Sequence, residues 1–256
     1  MNKTNKVACF YTQLKDNKGT IEFTNDSFPL IEYWEKSWKA NGWETYVLGE
    51  DDIIKDEYYS NLKFDNFKES NLCKYTVDWD CEYSRACYLR WLAYYQFAKK
   101  HGDIFWADYD VINYGLSPHL RVKVNTALSG CNSVGKLNKD GGQKILDVFV
   151  SVEKEEYQIN TLHKSQKVSD MFISRAFEVF DVHQPLLCRS ANERILTRTH
   201  PFLINYHGGI FSKPDTDSPW QIDYSDLLHK KNGTKYSRVE SIAILEKQYG
   251  LQDYDY

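Results

Sequence analysis

Short apolar runs alternate with amphipathic stretches along the first half of the chain. Residues 7–11 form an apolar run that ends in polar side chains, which is typical of a buried strand leading into a loop. Residues 29–41 have the period of a helix, with Ser27 as a possible cap and Gly42 as the stop. Residues 45–48 then predict a second strand, and the short connection favours parallel packing beside the first. The apolar residues on one face of the helix are Leu30, Trp34 and Trp38.

The same alternation continues to the end of the chain. Residues 50–80 have no clean period and predict irregular structure or short helices. Residues 82–99 carry the strongest helical pattern, and residues 103–107 form an apolar strand directly after it. Further strands are predicted at 126–129 and 202–206, and further helices at 143–152, 169–180 and 237–249. This order predicts an α/β fold, one domain over residues 1–256, with a mostly parallel central sheet flanked by helices.

The amino-acid composition weighs against some classes of protein. The chain has 256 residues, of which 42% are hydrophobic and 27% charged, and no apolar run approaches the ~18 residues that a membrane span needs. We therefore expect no transmembrane segment. The formal net charge of −4 weighs against general nucleic-acid binding. Aromatic residues make up 15% of the chain, which suits sugar or base stacking but also a Tyr-rich core.

The cysteines suggest a reducing compartment. None of their spacings is that of a zinc site, so we interpret all of them as reduced thiols. The first residues lack an apolar stretch long enough for a signal peptide, and we expect a cytoplasmic protein. The six cysteines are Cys9, Cys73, Cys81, Cys87, Cys131 and Cys188.

Two carboxylates follow the third predicted strand. Asp108 and Asp110 are two positions apart, and in an extended segment such residues project to the same side. Two converging carboxylates are suited to Mg²⁺ or Mn²⁺, and ligands of open α/β sheets bind at the carboxyl ends of strands. The pattern therefore predicts a metal site, and the alternative is a solvated turn.

A second group of polar residues lies at positions 207–213. His207 ends an apolar strand and precedes two glycines, which allow close backbone approach to a ligand. Lys213 could neutralise a phosphate. The alternative is a glycine turn with His207 packed at its edge and Lys213 in solvent.

Taken together, these features resemble the nucleotide-sugar-dependent glycosyltransferases of GT-A fold. The likeness covers the strand ending in Phe10, Tyr11, Thr12 and Gln13, the run over residues 38–48, the arginine-bearing helix and the strand into Asp108 and Asp110. It implies a Rossmann-like domain, with a nucleotide-sugar-binding half over residues 1–125 and an acceptor-binding half over residues 126–256. It also implies that the two aspartates hold a divalent ion and that Tyr11, Thr12 and Gln13 contact the nucleotide.

Residues 207–214 are similar to the H-x-x-G-x-x-K-P signature of the glycogenin-like retaining enzymes. The resemblance implies that His207 is a third metal ligand and that Lys213 meets the diphosphate, which slightly favours retention of configuration. Ile210 stands where that signature has its glycine.

Three further residues are candidates for contacts with the substrates. Arg85 lies near the start of a helix, where oxygens of a phosphate or sugar bind well, although a surface ion pair is a close alternative. Arg90 is five positions later, roughly 140° around the axis, so the two arginines do not face one ligand. Asp170 resembles the acceptor-side acid of several GT-A families, and its alternative is a helix cap formed with Ser169.

The resemblance thus predicts a metal-dependent glycosyltransferase with Asp110 and Asp170 as catalytic residues. The expected cofactors are Mn²⁺ or Mg²⁺ and a nucleotide sugar, most often UDP-linked, and the expected acceptor is a glycan or another hydroxyl compound. The net charge weighs mildly against nucleic acid as the acceptor. Two alternatives are a haloacid dehalogenase-like phosphatase, from which the chain departs at Ile112, and a non-catalytic carbohydrate-binding protein.

Overall fold

The strands of the fold belong to two sheets. A computed structural model describes residues 5–12, 27–75, 81–129, 132–154, 169–182, 187–190, 202–206, 236–249 and 251. The strands in these residues are β1 (Lys6–Phe10), β2 (Glu44–Leu48), β3 (Ile104–Ala107), β4 (Val111–Asn113), β5 (Thr126–Ala127), β6 (Val134–Leu137), β7 (Asp181–Val182), β8 (Cys188–Ser190) and β9 (Leu203–Asn205).

The main sheet is mostly parallel, as predicted. Its order is β2-β1-β3-β6-β5-β7, and β6 is antiparallel to both of its neighbours while the other pairs are parallel. A smaller sheet has the order β4-β9-β8. Strands β4, β6, β7 and β8, of two to four residues each, were not expected from the sequence.

Helices cover both faces of the main sheet. They are α1 (Ser27–Ala40), α2 (Glu57–Asn61), α3 (Asn71–Tyr75), α4 (Cys81–His101), α5 (Lys139–Glu153), α6 (Asp170–Ala176) and α7 (Arg238–Tyr249), with 3-10 turns at Glu50–Asp52 and Phe64–Glu69. The predicted helices are therefore confirmed within a few residues at their ends, and the region from residue 50 to 75 contains short helices. Gly102 ends α4 with a φ of 84°, a conformation that favours glycine.

The core consists of two hydrophobic clusters that the main sheet separates. Because strand side chains alternate between faces, Ala8 and Phe10 belong to one cluster, and Val7 and Cys9 belong to the other. The first cluster contains the buried faces of α4 and α5. The second contains the buried residues of α1, α7 and the smaller sheet. The predicted stripe of Leu30, Trp34 and Trp38 is fully buried there.

The cysteine prediction was wrong for one pair. Cys73 in α3 and Cys81 at the start of α4 form a disulfide, with their Cα atoms 5.9 Å apart. The fold brings the two helix ends together, which a spacing of eight residues does not indicate. Cys9, Cys87 and Cys188 are free thiols, as predicted.

No helix in the described ranges is both long enough and apolar enough to cross a bilayer.

Candidate functional site

The carboxyl ends of three adjacent parallel strands, β2, β1 and β3, lie along one edge of the main sheet. Residues 49–52 follow β2, Tyr11 and Thr12 follow β1, and residues 108–110 follow β3. The Tyr11 N–H donates to the Leu48 carbonyl oxygen at 2.9 Å, so the pairing of β1 with β2 extends to the first site residue. This edge is where open α/β sheets bind ligands.

The segment from Asp108 to Asp110 is a turn, and the prediction that it is extended was wrong. The Val111 N–H donates to the Asp108 carbonyl oxygen at 2.9 Å, and the Asp108 N–H donates to the Ser133 carbonyl oxygen at 2.7 Å. The physical reason is that β4 begins at Val111 and pairs in the smaller sheet, so the chain must leave the main sheet within three residues. The turn is not the solvated alternative either, because both aspartate side chains bind arginines.

Arg90 of α4 binds two of the candidate carboxylates at once. Its Nη1 donates to Asp108 Oδ1 at 2.7 Å, and its Nη2 donates to Asp170 Oδ2 at 2.7 Å. The Trp91 indole N–H donates to the same Asp170 oxygen at 2.7 Å. Asp170 is only 1% exposed, and its Oδ1 has no hydrogen-bond partner. In this arrangement Asp170 acts on the site through Arg90 and is closed to an acceptor.

Asp110 is bound by a second arginine, which comes from α7. Arg238 Nη2 donates to Asp110 Oδ2 at 3.0 Å and to the Tyr206 carbonyl oxygen at 2.9 Å. Asp110 Oδ1 is buried and has no hydrogen-bond partner among the described residues. A buried carboxylate oxygen of this kind is costly unless something else satisfies it.

These contacts form an acidic cluster, defined here as Asp108, Asp110 and Asp170 with Arg90 and Arg238. Among the described residues, three carboxylates face two guanidinium groups, which leaves one negative charge in excess within this set. Burial raises the pKa of Asp108 to about 7, with Asp110 and Asp170 adding to the shift and Arg90 opposing it. A proton or a cation would therefore stabilise the cluster.

A divalent cation fits this chemistry at the two aspartates of the turn. Asp110 offers an unpaired buried oxygen, and Asp108 lies close enough for the two charges to interact. Within the described ranges, no cluster of three or more His, Cys, Asp or Glu side chains is arranged to hold a metal ion. Other ligands would have to come from a bound diphosphate or from elsewhere in the chain.

Aromatic rings lie beside the acidic cluster. Tyr11 packs edge-on against Phe28 at 5.6 Å and against Tyr109 at 5.8 Å between ring centroids. Phe28, at the start of α1, is 61% exposed. The rings give the edge of the sheet an apolar surface suited to the face of a base or a sugar.

Arg85 belongs to a separate network at the same edge. Its two terminal nitrogens donate to Glu50 Oε1 and Oε2 at 3.0 and 2.9 Å, and its Nε donates to the Phe64 carbonyl oxygen at 2.9 Å. The Thr12 hydroxyl donates to Glu50 Oε1 at 2.6 Å. The ion pair that the sequence offered as the alternative for Arg85 is present, and the two arginines of α4 face different partners as predicted. A donor contact by Thr12 or Arg85 stays a prediction.

The remaining predicted site residues lie outside the described residues. They are Gln13, His207 and Lys213. Their roles at the nucleotide, the metal ion and the diphosphate stay predictions.

Sequence reasoning missed the two arginines of the acidic cluster. A signal for Arg90 exists in hindsight, because it stands within a run of buried residues in α4, and a charge in such a run needs a partner. Arg238 has no comparable signal, since its partner Asp110 is 128 positions away.

The helix cap that was the alternative interpretation of residues 169–170 is also present, with Ser169 Oγ accepting the Phe172 N–H.

Comparisons with known proteins find no family model that matches the chain and no curated protein that matches it.

Proposed function

We propose that the protein is a metal-dependent glycosyltransferase that moves a sugar from a nucleoside diphosphate sugar, with a UDP-sugar as the expected donor, to a hydroxyl acceptor. The observation that carries the proposal is the acidic cluster, with its excess negative charge and the orphaned Asp110 oxygen, at the carboxyl edge of a mostly parallel sheet. The resemblance of the sequence around this turn to the GT-A enzymes supports the choice of reaction.

Each group in the cluster has a definite task in this proposal. Asp108 and Asp110 would hold a divalent cation, which supplies a Lewis acid for the departing diphosphate. Arg90 holds Asp108 in place and is itself fixed by the buried Asp170 carboxylate. Tyr11 and Phe28 provide an apolar surface beside the cluster, against which the donor can stack.

Nucleotide release from sugar nucleotides tests this function. The chain is incubated with a panel of UDP-, GDP- and TDP-sugars, and free nucleoside diphosphate is measured with Mn²⁺, with Mg²⁺ and with EDTA. We expect release from at least one donor that EDTA abolishes, and we expect Asp110→Asn to lower the rate by about 100-fold or more. Asp181→Asn is the matched control, because Asp181 is 61% exposed at the far edge of the sheet.

The same assay separates the alternatives. Nucleotide release that neither EDTA nor Asp110→Asn changes would contradict the proposed site. Release of phosphate from simple monoesters would favour a phosphatase, and sugar binding without any nucleotide release would favour a carbohydrate-binding protein. Thermal melting of each variant shows that a lost rate does not reflect a lost fold.

A further inference from the structure

Arg238, the first residue of α7, contacts three parts of the candidate site. Its Nη2 binds Asp110 Oδ2 and the Tyr206 carbonyl oxygen, and its guanidinium carbon lies 5.7 Å from the centroid of the Tyr109 ring. The Tyr206 N–H in turn donates to the Asp110 carbonyl oxygen at 2.8 Å. Both the backbone and the side chain of Asp110 are therefore fixed by residues from the end of the chain.

The far part of α7 is anchored in the core as well. The Glu246 carboxylate accepts hydrogen bonds from the Tyr33 hydroxyl at 2.6 Å and from the Tyr114 hydroxyl at 2.6 Å. The Tyr114 hydroxyl also lies 2.8 Å from the Tyr206 hydroxyl. Arg238 and Glu246 are separated by about 12 Å of helix at 1.5 Å per residue, so α7 is held near both ends.

Arg238 binds one oxygen of Asp110, and the other has no partner within the part of the chain that the structure describes. Outer partners of this kind fix the orientation of a metal-binding carboxylate and its free oxygen. We propose that Arg238 is a positioning residue that orients Asp110 for cation binding, so that the C-terminal helix is part of the cation site. This inference rests on the proposed function, because it concerns the same cation.

The positioning role and simple charge repulsion predict opposite changes in cation affinity when Arg238 is replaced. Arg238 carries a positive charge beside Asp110, and removing a nearby positive charge should strengthen the binding of a cation. If Arg238 orients Asp110, its removal should instead weaken binding. The sign of the change therefore distinguishes positioning from electrostatic competition.

Titration of the full chain with Mn²⁺ alone, followed by electron paramagnetic resonance of the free ion, measures whether the Mn²⁺ affinity falls or rises in the variants. We expect Arg238→Gln to weaken Mn²⁺ binding by roughly 10- to 100-fold. Arg238→Lys should fall between Arg238→Gln and the wild type, because lysine keeps the charge but replaces the planar guanidinium with a shorter side chain and a single ammonium. Lys247→Gln, an exposed charge removal on the same helix, should leave the affinity within about twofold of wild type.

Each outcome bears on a stated claim. Arg238→Gln that binds Mn²⁺ as well as the wild type, or more tightly, would overturn the positioning role and leave the proposed function standing. A wild-type chain that shows no saturable Mn²⁺ site either alone or in the presence of UDP would overturn the proposed function and this inference with it. Circular dichroism checks the fold of each variant, and if Arg238→Gln does not fold, wild-type affinity in Arg238→Lys would overturn the positioning role.

Discussion

At the scale of single residues, the candidate site consists of buried carboxylates paired with guanidinium groups. Asp108 and Asp110 are each bound by a guanidinium group from a distant position, 18 residues before Asp108 and 128 residues after Asp110. The buried Asp170 carboxylate shares Arg90 with Asp108, so the guanidinium groups of the described cluster are fewer than its acids. Burial, with a smaller contribution from the neighbouring Asp110 and Asp170 carboxylates, raises the pKa of Asp108 to about 7.

The raised pKa of Asp108 predicts how stability depends on pH. A carboxyl whose pKa is higher in the folded state keeps its proton on folding, so its contribution to stability is full below the unfolded pKa and is lost as pH rises through about 7. Relative to Asp108→Asn, which does not titrate, the wild type should lose free energy of unfolding between pH 5 and pH 7, by at most about 1.4 kcal/mol per pH unit.

Urea unfolding of both proteins at several pH values checks this prediction. The stability difference between Asp108→Asn and wild type should shift in favour of the variant as the pH rises. A difference that is constant with pH, or that shifts towards the wild type, would show that the pKa of Asp108 is not raised.

Only part of the candidate site could be predicted at this scale. Asp108 and Asp110 could be selected because two acids directly after an apolar run stand at the end of a buried strand. Their partners could not, because hydrogen bonds between residues 18 and 128 positions apart leave no local pattern that names the partner. A turn at these residues was the alternative prediction, but its burial could not be predicted, since it depends on β4 pairing with β9.

At the scale of elements, the long amphipathic segments were predictable, as were the short strands β3, β5 and β9, whereas β4, β6, β7 and β8 were not. The periods of α1, α4 and α5 reflect faces that are buried against the sheet. Strand β6 contains Gly135 and Lys136, a pair that is untypical of a strand, and it exists because β3 and β5 pair with it on either side. Its formation is decided by tertiary contacts.

Gly135 gives a test of how tightly β6 is packed. A Cβ atom at this position would lie 2.3 Å from Trp106 Cη2 and 2.4 Å from the Thr126 backbone oxygen, and the backbone cannot yield as a side chain does. We expect Gly135→Ala to lower the free energy of unfolding by at least about 2 kcal/mol, through overpacking.

Gly102→Ala is the control for this substitution. A Cβ atom there has no neighbour within 4 Å, so its cost should be only the backbone strain at φ 84°, about 1 kcal/mol. Chemical denaturation of both variants compares the two costs. A Gly135→Ala protein that is as stable as Gly102→Ala would mean that β6 does not pack between Trp106 and Thr126 as described.

At the scale of the whole molecule, the acidic cluster joins both halves of the chain. Arg90 and Asp108 come from the first half, and Asp170 and Arg238 come from the second. Strand β3 and helix α4 place Asp108 and Arg90 at the carboxyl edge of the sheet, and α6 and α7 bring Asp170 and Arg238 to the same place. Residues from both predicted halves are thus needed to assemble the cluster.

The central claim is that this cluster binds a cation together with a nucleoside diphosphate, and calorimetric titration with UDP tests it most directly. We predict that Mn²⁺ raises the affinity of the wild type for UDP by at least about tenfold, and that Asp110→Ala, folded as judged by its melting curve, abolishes this gain. Equal UDP affinity with and without Mn²⁺ in the wild type, or an undiminished gain in Asp110→Ala, would contradict the account.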